Sequence, residues 1–323
     1  MRNKGFTLIE LLAVIIILAV IALITVPAVM SVVSDAKQSA FKDSAYGLIK
    51  TADAEYVQDT FEDSTIDKFF LFTNGVMTSY PSGSTLDYKG STPLDGGLVL
   101  HSDGTVTVAI HDGTYCATKT RYVSEVTVST MTKANCNNEI FYSQASAPFS
   151  NLIINGNFNN GTNGWLTGTA ITNVVDGKLV SKSTEIHGGA TQNIANYSDY
   201  KTHKMYFTCM VKSDTASLYV AFNDGVSQTL IGYADVNNFQ KLSSIGLVDN
   251  NATDLFFKVQ DQRDSEWTEI YFDDVITLDL TSTFGAGNEP TIAQMDHNLN
   301  KVWIDTANGN IPKRFTAGGW ASF

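Results

Sequence analysis

The stretch Leu11–Val26, LLAVIIILAVIALITV, holds one polar side chain, Thr25, in sixteen residues. With Phe6–Ile9 before it and Pro27–Val33 after it, the run is long enough to cross the roughly 30 Å hydrocarbon layer of a membrane as a helix. That decides where the remainder can go. Arg2 and Lys4 precede the run and keep the first residues on the cytoplasmic side, so the bulk of the chain lies outside. One residue is out of place, because Glu10 puts a carboxylate inside the apolar run. An acid in a membrane segment costs a few kcal/mol near the helix centre and normally marks a function. The alternative is an ordinary secretory signal cut after the small residue Ala28. Such signals have apolar regions of about 7–15 residues, whereas this run is longer and contains Glu10.

The string KGFTLIELLAVIIILAVIALITVPAV resembles the start of type IV prepilins and pseudopilins, over about the first 60 residues. The resemblance implies that residues 1–5 are a leader and that a membrane peptidase cuts between Gly5 and Phe6. It further implies N-methylation of the new Phe6 amine, and it makes Glu10 the glutamate five residues into the mature chain. In a filament core of low dielectric a buried charge needs a partner. Glu10 would pair there with the Phe6 amine of a neighbouring subunit and set the axial step at assembly. Pro27 removes a backbone donor and clashes with the preceding turn. It stands either for local melting in the filament, as the resemblance implies, or for a simple kink.

Beyond the membrane portion, about residues 9–33, the helix is expected to run on to residue 60. Val29, Val33, Ala36, Ala40, Leu48, Ala52 and Tyr56 approximate an amphipathic stripe. Phe6 to Asp59 as one helix would measure roughly 80 Å. Within residues 61–142 the period shifts toward two, in KFFLF, GLVLH, TVTVAI, TYCATK and EVTVST. Turn signals such as Asn74-Gly75 and Asp103-Gly104 separate these runs. A long helix with an antiparallel sheet on its second half is an α+β pilin head. Such heads often close a loop with a disulfide, which for Cys116 and Cys136 would stabilise by about 3 kcal/mol in the chain-entropy model. Two free thiols are the other reading, and Cys209 is a small buried hydrophobe.

Ser143–Ser150 is small, polar and proline-containing, which suits a linker. The following NLIINGNFNNGTNGW resembles the opening of carbohydrate-binding modules of the β-sandwich, jelly-roll type, over residues 151–280. That implies an all-β second domain, with 281–323 as an extension holding a short helix from Ile292 to Leu299 capped by Thr291. Sugar recognition uses aromatic faces, and Trp267, Tyr271 and Trp165 are the ligand candidates, with sandwich core the preferred reading of Trp165. Some modules of this group hold a structural calcium. Asp273 matches that motif position, yet Asn157 and Asn159 stand where acids are common, which weakens a calcium site.

The chain has 323 residues and a formal net charge of −12, with its basic residues scattered in sequence. No direct nucleic-acid partner is expected, since duplex binding needs a basic face. Three cysteines and five histidines show no metal-ligand spacing. No nucleophile elbow, zinc-protease helix motif or phosphate loop is present, so no enzyme is expected and no cofactor is required. The expected protein is a pilin-like subunit, a minor pilin or pseudopilin. It starts as a single-pass cytoplasmic-membrane protein with its amino terminus in the cytoplasm, and then enters an extracellular filament. Its partners are other pilin subunits, the prepilin peptidase and methyltransferase, the membrane, and a glycan or cell-surface ligand. A secretion or DNA-uptake pseudopilin, or a secreted lectin-like module, are the alternatives.

Overall fold

The computed structural model describes residues 8–88, 90–167, 171–182, 189–213, 218–233, 238–261 and 269–323. The chain folds as two units, Met1–Ile140 and Phe141–Phe323.

The first unit opens with α1 (Leu8–Phe61), one helix of 54 residues. After it come β1 (Lys68–Thr73), β2 (Val76–Tyr80), β3 (Asp95–Leu100), β4 (Val106–His111), β5 (Cys116–Lys119) and β6 (Thr127–Ser129). They form an antiparallel sheet in the order β2-β1-β3-β4-β5-β6. Strand β2 was not legible as a period-two run. It follows from Asn74-Gly75, both at positive φ, which close a two-residue hairpin between Thr73 and Val76.

Helix α1 buries Phe41, Ala45, Leu48, Ile49 and Ala52 against Phe70, Leu98, Leu100, Val108 and Ile110 of the sheet. The expected stripe therefore stands at Leu48, Ala52 and the half-buried Tyr56, while Val29, Val33, Ala36 and Ala40 are exposed. The packed face starts at Phe41 and steps 41-45-48-49-52, one residue out of phase with a stripe drawn through Ala40. Gly96, at φ +109°, lets β3 lie close on β4, since a Cβ there would sit 2.2 Å from the Ala109 carbonyl oxygen.

Lys68 ties the sheet to the helix, its Nζ 2.7 Å from Glu55 and 2.8 Å from Asp59. Burial pulls the ammonium down, but the hydrogen bonds and charges of the two carboxylates outweigh it and hold Lys68 above its usual value. A short helix α2 (Lys133–Asn138) is capped by the Thr132 hydroxyl, which accepts from Asn135 N–H. A disulfide joins Cys136 on that helix to Cys116 on β5, with Cα atoms 5.7 Å apart.

The second unit begins with β7 (Phe141–Gln144), followed by β8 (Ile171–Val175), β9 (Lys178–Lys182), β10 (Gly189–Asn193), β11 (Lys204–Ser213) and β12 (Leu218–Asn223). Then come β13 (Gln228–Tyr233), β14 (Gln240–Leu247), β15 (Phe256–Asp261) and β16 (Glu269–Asp279). Two antiparallel sheets, β14-β11-β16-β9-β8 and β10-β15-β12-β13, make the expected sandwich. Its core takes Phe207, Val211, Ile270 and Phe272 from one sheet and Val220, Phe222, Phe257 and Val259 from the other. The rings of Phe207 and Phe222 meet with centroids 4.0 Å apart.

The opening motif is a structural clamp. Asn151 Nδ2 donates to the carbonyls of Val275 (2.9 Å) and Ala317 (2.8 Å), while its Oδ1 accepts from Ile153 N–H and Thr277 N–H. All four of its hydrogen-bonding positions are used. Gly156 lies so close to β16 that a Cβ would stand 2.1 Å from the Val275 oxygen.

Residues 143–150 are not a free linker. Ser143 and Gln144 belong to β7, which pairs in parallel with β17 (Val302–Asp305), and Phe149 is buried. The unit thus starts at Phe141 rather than at residue 151, and the segment 281–323 is built into it. That segment carries α3 (Leu280–Phe284), α4 (Ile292–Asn298), β17, β18 (Ile311–Thr316) and β19 (Gly319–Ser322), the strands ordered β19-β18-β17-β7. The physical reason is apolar area. Tyr206, Ile276 and Leu278 point away from the sandwich core and are covered by Phe149, Leu280, Met295 and Ala317. Thr291 caps α4 in a full capping box with Gln294. The preceding FGAGNEP loop is held by Glu289, whose carboxylate accepts from Gly287 N–H (2.9 Å) and the Thr281 hydroxyl (3.0 Å), with Lys204 Nζ at 3.3 Å.

Candidate assembly helix and ligand face

From Leu8 to Val33 every side chain on α1 is exposed, Leu18 at 58% and Ile24 at 69%. These 26 residues rise about 39 Å and form the one helix among the described residues long and apolar enough to span a membrane. Glu10 is exposed on this segment, two residues after the first described position. Gly5 and Phe6, the expected cleavage and methylation residues, lie outside the described residues. Pro27 does not interrupt α1. Its missing N–H leaves the Leu23 carbonyl without its intrahelical partner. Two residues earlier, the Thr25 hydroxyl donates to the Ile21 carbonyl at 2.9 Å.

On the sandwich, the strand period fixes what faces outward from the five-stranded sheet. Ile270 and Phe272 point into the core, so Glu269, Tyr271 and Asp273 point out. Register places Lys212 of β11 on one side of Tyr271 and Val180 of β9 on the other, with Met210 beside Asp273 and Lys182 beside Glu269.

The Tyr271 hydroxyl donates to Glu269 Oε2 at 2.5 Å, and Lys182 Nζ lies 3.1 Å from Glu269 Oε1. The tyrosine hydrogen bond and Lys182 hold the Glu269 carboxyl below its usual range. Phe239 meets Tyr271 edge-on, with centroids 6.4 Å apart. Lys212 Nζ sits 5.5 Å from the Tyr271 ring centroid and Lys178 Nζ 5.8 Å from that of Phe239. The result is a fixed aromatic pair with hydrogen-bonding groups around it, which is the chemistry a sugar surface needs. Phe239 was not singled out by sequence. It lies just before β14, and a lone phenylalanine next to a strand has no local signature.

The other candidates separate. Trp165 is 7% exposed and packs on Phe158, Phe257 and Phe272, with its Nε1 donating to the Asn155 carbonyl. It is a core residue and does not join the ligand face. Trp267 lies outside the described residues. Asp273 is pushed up to about 6 by burial and by the neighbouring Asp274 charge, against the pull of Asp274 N–H and Lys178. Calcium takes 6–8 oxygen ligands. Among the described residues no group of three or more His, Cys, Asp or Glu gathers for a metal, and the Asn157 Oδ1 already accepts from Asn159 N–H.

The chain combines an exposed apolar helix that fits membrane anchoring with an α+β head and, in a separate unit, a β-sandwich. Residues 1–26 match the family model for the prokaryotic N-terminal methylation motif, so the chain carries the type IV prepilin signal. A comparison with curated proteins finds no match. Among solved structures, a family 16 carbohydrate-binding module is 14% identical, covering 39% of this chain and 99% of its own, at a TM-score of 0.33. The CBM22-2 xylan-binding domain from Paenibacillus barcinonensis Xyn10C is 15% identical, covering 41% and 99%, at 0.32. The MgGH51 α-L-arabinofuranosidase is 10% identical, covering 44% of this chain and 29% of the enzyme, at 0.32. Likeness at this level carries no argument about fold or ligand.

Proposed function

We propose that this protein is a type IV pilin-like subunit that displays a glycan-binding sandwich on a surface filament. The observation that carries the reading is the exposed apolar half of α1 standing behind a methylation motif. Exposed apolar surface of this extent requires hydrocarbon or other copies of itself. In the membrane the helix anchors the precursor. After cleavage before Phe6, the same surface packs against neighbouring helices, and Glu10 takes the methylated amine of the next subunit as its partner. The second unit acts as a binding module without catalysis, through Tyr271, Phe239 and their polar surround.

Mass spectrometry of the amino terminus, on protein expressed with its native peptidase, tests the foundation. The expected mature chain starts at N-methylated Phe6. A start near Val29 would make the protein a secreted binding module and remove the filament.

A further inference from the structure

The basic residues are scattered in the sequence, but the fold collects four of them. Lys178 and Lys182 on β9, Lys212 on β11 and Lys241 on β14 all stand on or beside the Tyr271–Phe239 face. The unit from Phe141 to Phe323 has 11 Lys and Arg against 18 Asp and Glu, so the gathering runs against the balance of the surrounding surface. Two of the four are taken up by carboxylates, Lys182 by Glu269 at 3.1 Å and Lys241 by Asp296 at 2.7 Å. The other two lie over aromatic rings, Lys212 over Tyr271 and Lys178 over Phe239, with Lys178 Nζ also donating to the Asp176 carbonyl at 3.2 Å. Asp273, on the same face, is raised to about 6 by burial and by Asp274, so at neutral pH it is ionised and its charge is offset in part by Lys178.

This arrangement discriminates between sugars. A neutral pyranose stacks its C–H face on a bare ring and gains little from an ammonium already resting there. An acidic sugar meets both features together. Its anion accepts charge-assisted hydrogen bonds from the ammonium groups, while its ring lies along the aromatic pair. Tyr271 is already fixed through Glu269 and Lys182, so little ordering cost remains at binding.

We infer that the ligand of this face is an anionic polysaccharide, its carboxylate or sulfate held by Lys178 and Lys212 and its sugar ring by Tyr271 and Phe239. The inference rests on the glycan-binding reading and narrows it to a charge class.

The test uses the full-length protein in detergent micelles and affinity electrophoresis through four polymers. These are polygalacturonate, the same polymer after carboxyl reduction, dextran sulfate, and neutral xylan. Polygalacturonate or dextran sulfate should bind at least about tenfold more tightly than either neutral polymer, and the stronger of the two identifies the anion. Raising salt from about 50 to about 500 mM should weaken that binding severalfold, as expected for charges near the surface. The double change Lys178→Ala with Lys212→Ala should cost about tenfold or more, and the arginine pair should retain binding. Lys201→Ala with Lys258→Ala, which alters two lysines off this face, should leave it unchanged. Equal binding to the reduced polymer, or equal loss in both double variants, overturns the inference while leaving glycan binding in place. Absence of binding to all four polymers removes both.

Discussion

The two halves of α1 share one continuous helix and differ in what their apolar side chains meet. From Phe41 to Ala52 the packed face is buried on the sheet of the same chain, and from Leu8 to Val33 the side chains stay exposed. Helical conformation is the same in both. In the second half, tertiary packing supplies the stability, as is usual for protein helices. In the first half it is left to a different solvent or to other subunits. One half of the helix folds the subunit, and on the proposed function the other half assembles it.

The largest expected effect falls on the assembling half. Glu10→Ala should reduce filaments sheared from cells by tenfold or more, while cleavage and the thermal transition of the head stay as they are. A matching drop in the head's transition would erase the division between the halves.

Next in size is a paired substitution along the helix. Leu48→Ala, fully buried, should cost about 2–5 kcal/mol in chemical denaturation. Leu18→Ala should change head stability in detergent by no more than about 0.5 kcal/mol. Similar costs at both positions would mean that the membrane half also stabilises the fold.

Removing the disulfide by Cys116→Ser with Cys136→Ser should cost about 3 kcal/mol and act on the first unit alone. A loss that also moves the second unit's transition would join the two units into one cooperative block.

The smallest effect separates the units by acid. His101 in the first unit is lowered from 6.5 to about 3, by burial first and then by the charge of Arg121. Its neutral form is the folded one, so its contribution is complete above pH 6.5 and is lost as pH falls toward 3. In the second unit, Glu289 is held down to about 2 by its own backbone N–H first, then by Thr281, Lys204 and Gly287. Its contribution is complete above pH 4.5 and lost below it. Asp273, raised from 3.8 to about 6, works in the opposite sense and favours the fold as pH drops from about 6 to 3.8. Between pH 6.5 and 4.5 the first unit's melting temperature should therefore decline while the second's rises slightly. Parallel decline of both transitions would refute the assignment.

Much of the first unit was legible because its signals are local. Sixteen nearly unbroken apolar residues need no tertiary information, and five of six head strands alternate visibly. The proposed ligand face was legible only in part. Tyr271 is a candidate from its strand alone, but Phe239, Lys178 and Lys212 come from separate strands or their flanks and meet only through register. Trp165 shows the reverse problem. An aromatic after a sugar-module opening motif reads equally as platform or core, and its environment of Phe158, Phe257 and Phe272 is visible only once the sandwich is closed. The supposed linker misled because small polar residues suit an edge strand as well as a loop. The partner of β7 lies about 160 residues away, beyond any local window.

That pairing has a consequence for the order of events during synthesis. Trp303 Nε1 donates to Gln144 across 159 positions, and Trp320 Nε1 donates to Phe149 across 171. Closing such long loops is slow, because chain entropy is lost before any contact forms. Strand β7 is translated first in its unit and waits for β17, about 160 residues later, before it has a neighbour. Residues 302–320 therefore complete the fold of the unit, since without them β7 is unpaired and Phe149 loses the indole that bonds its carbonyl.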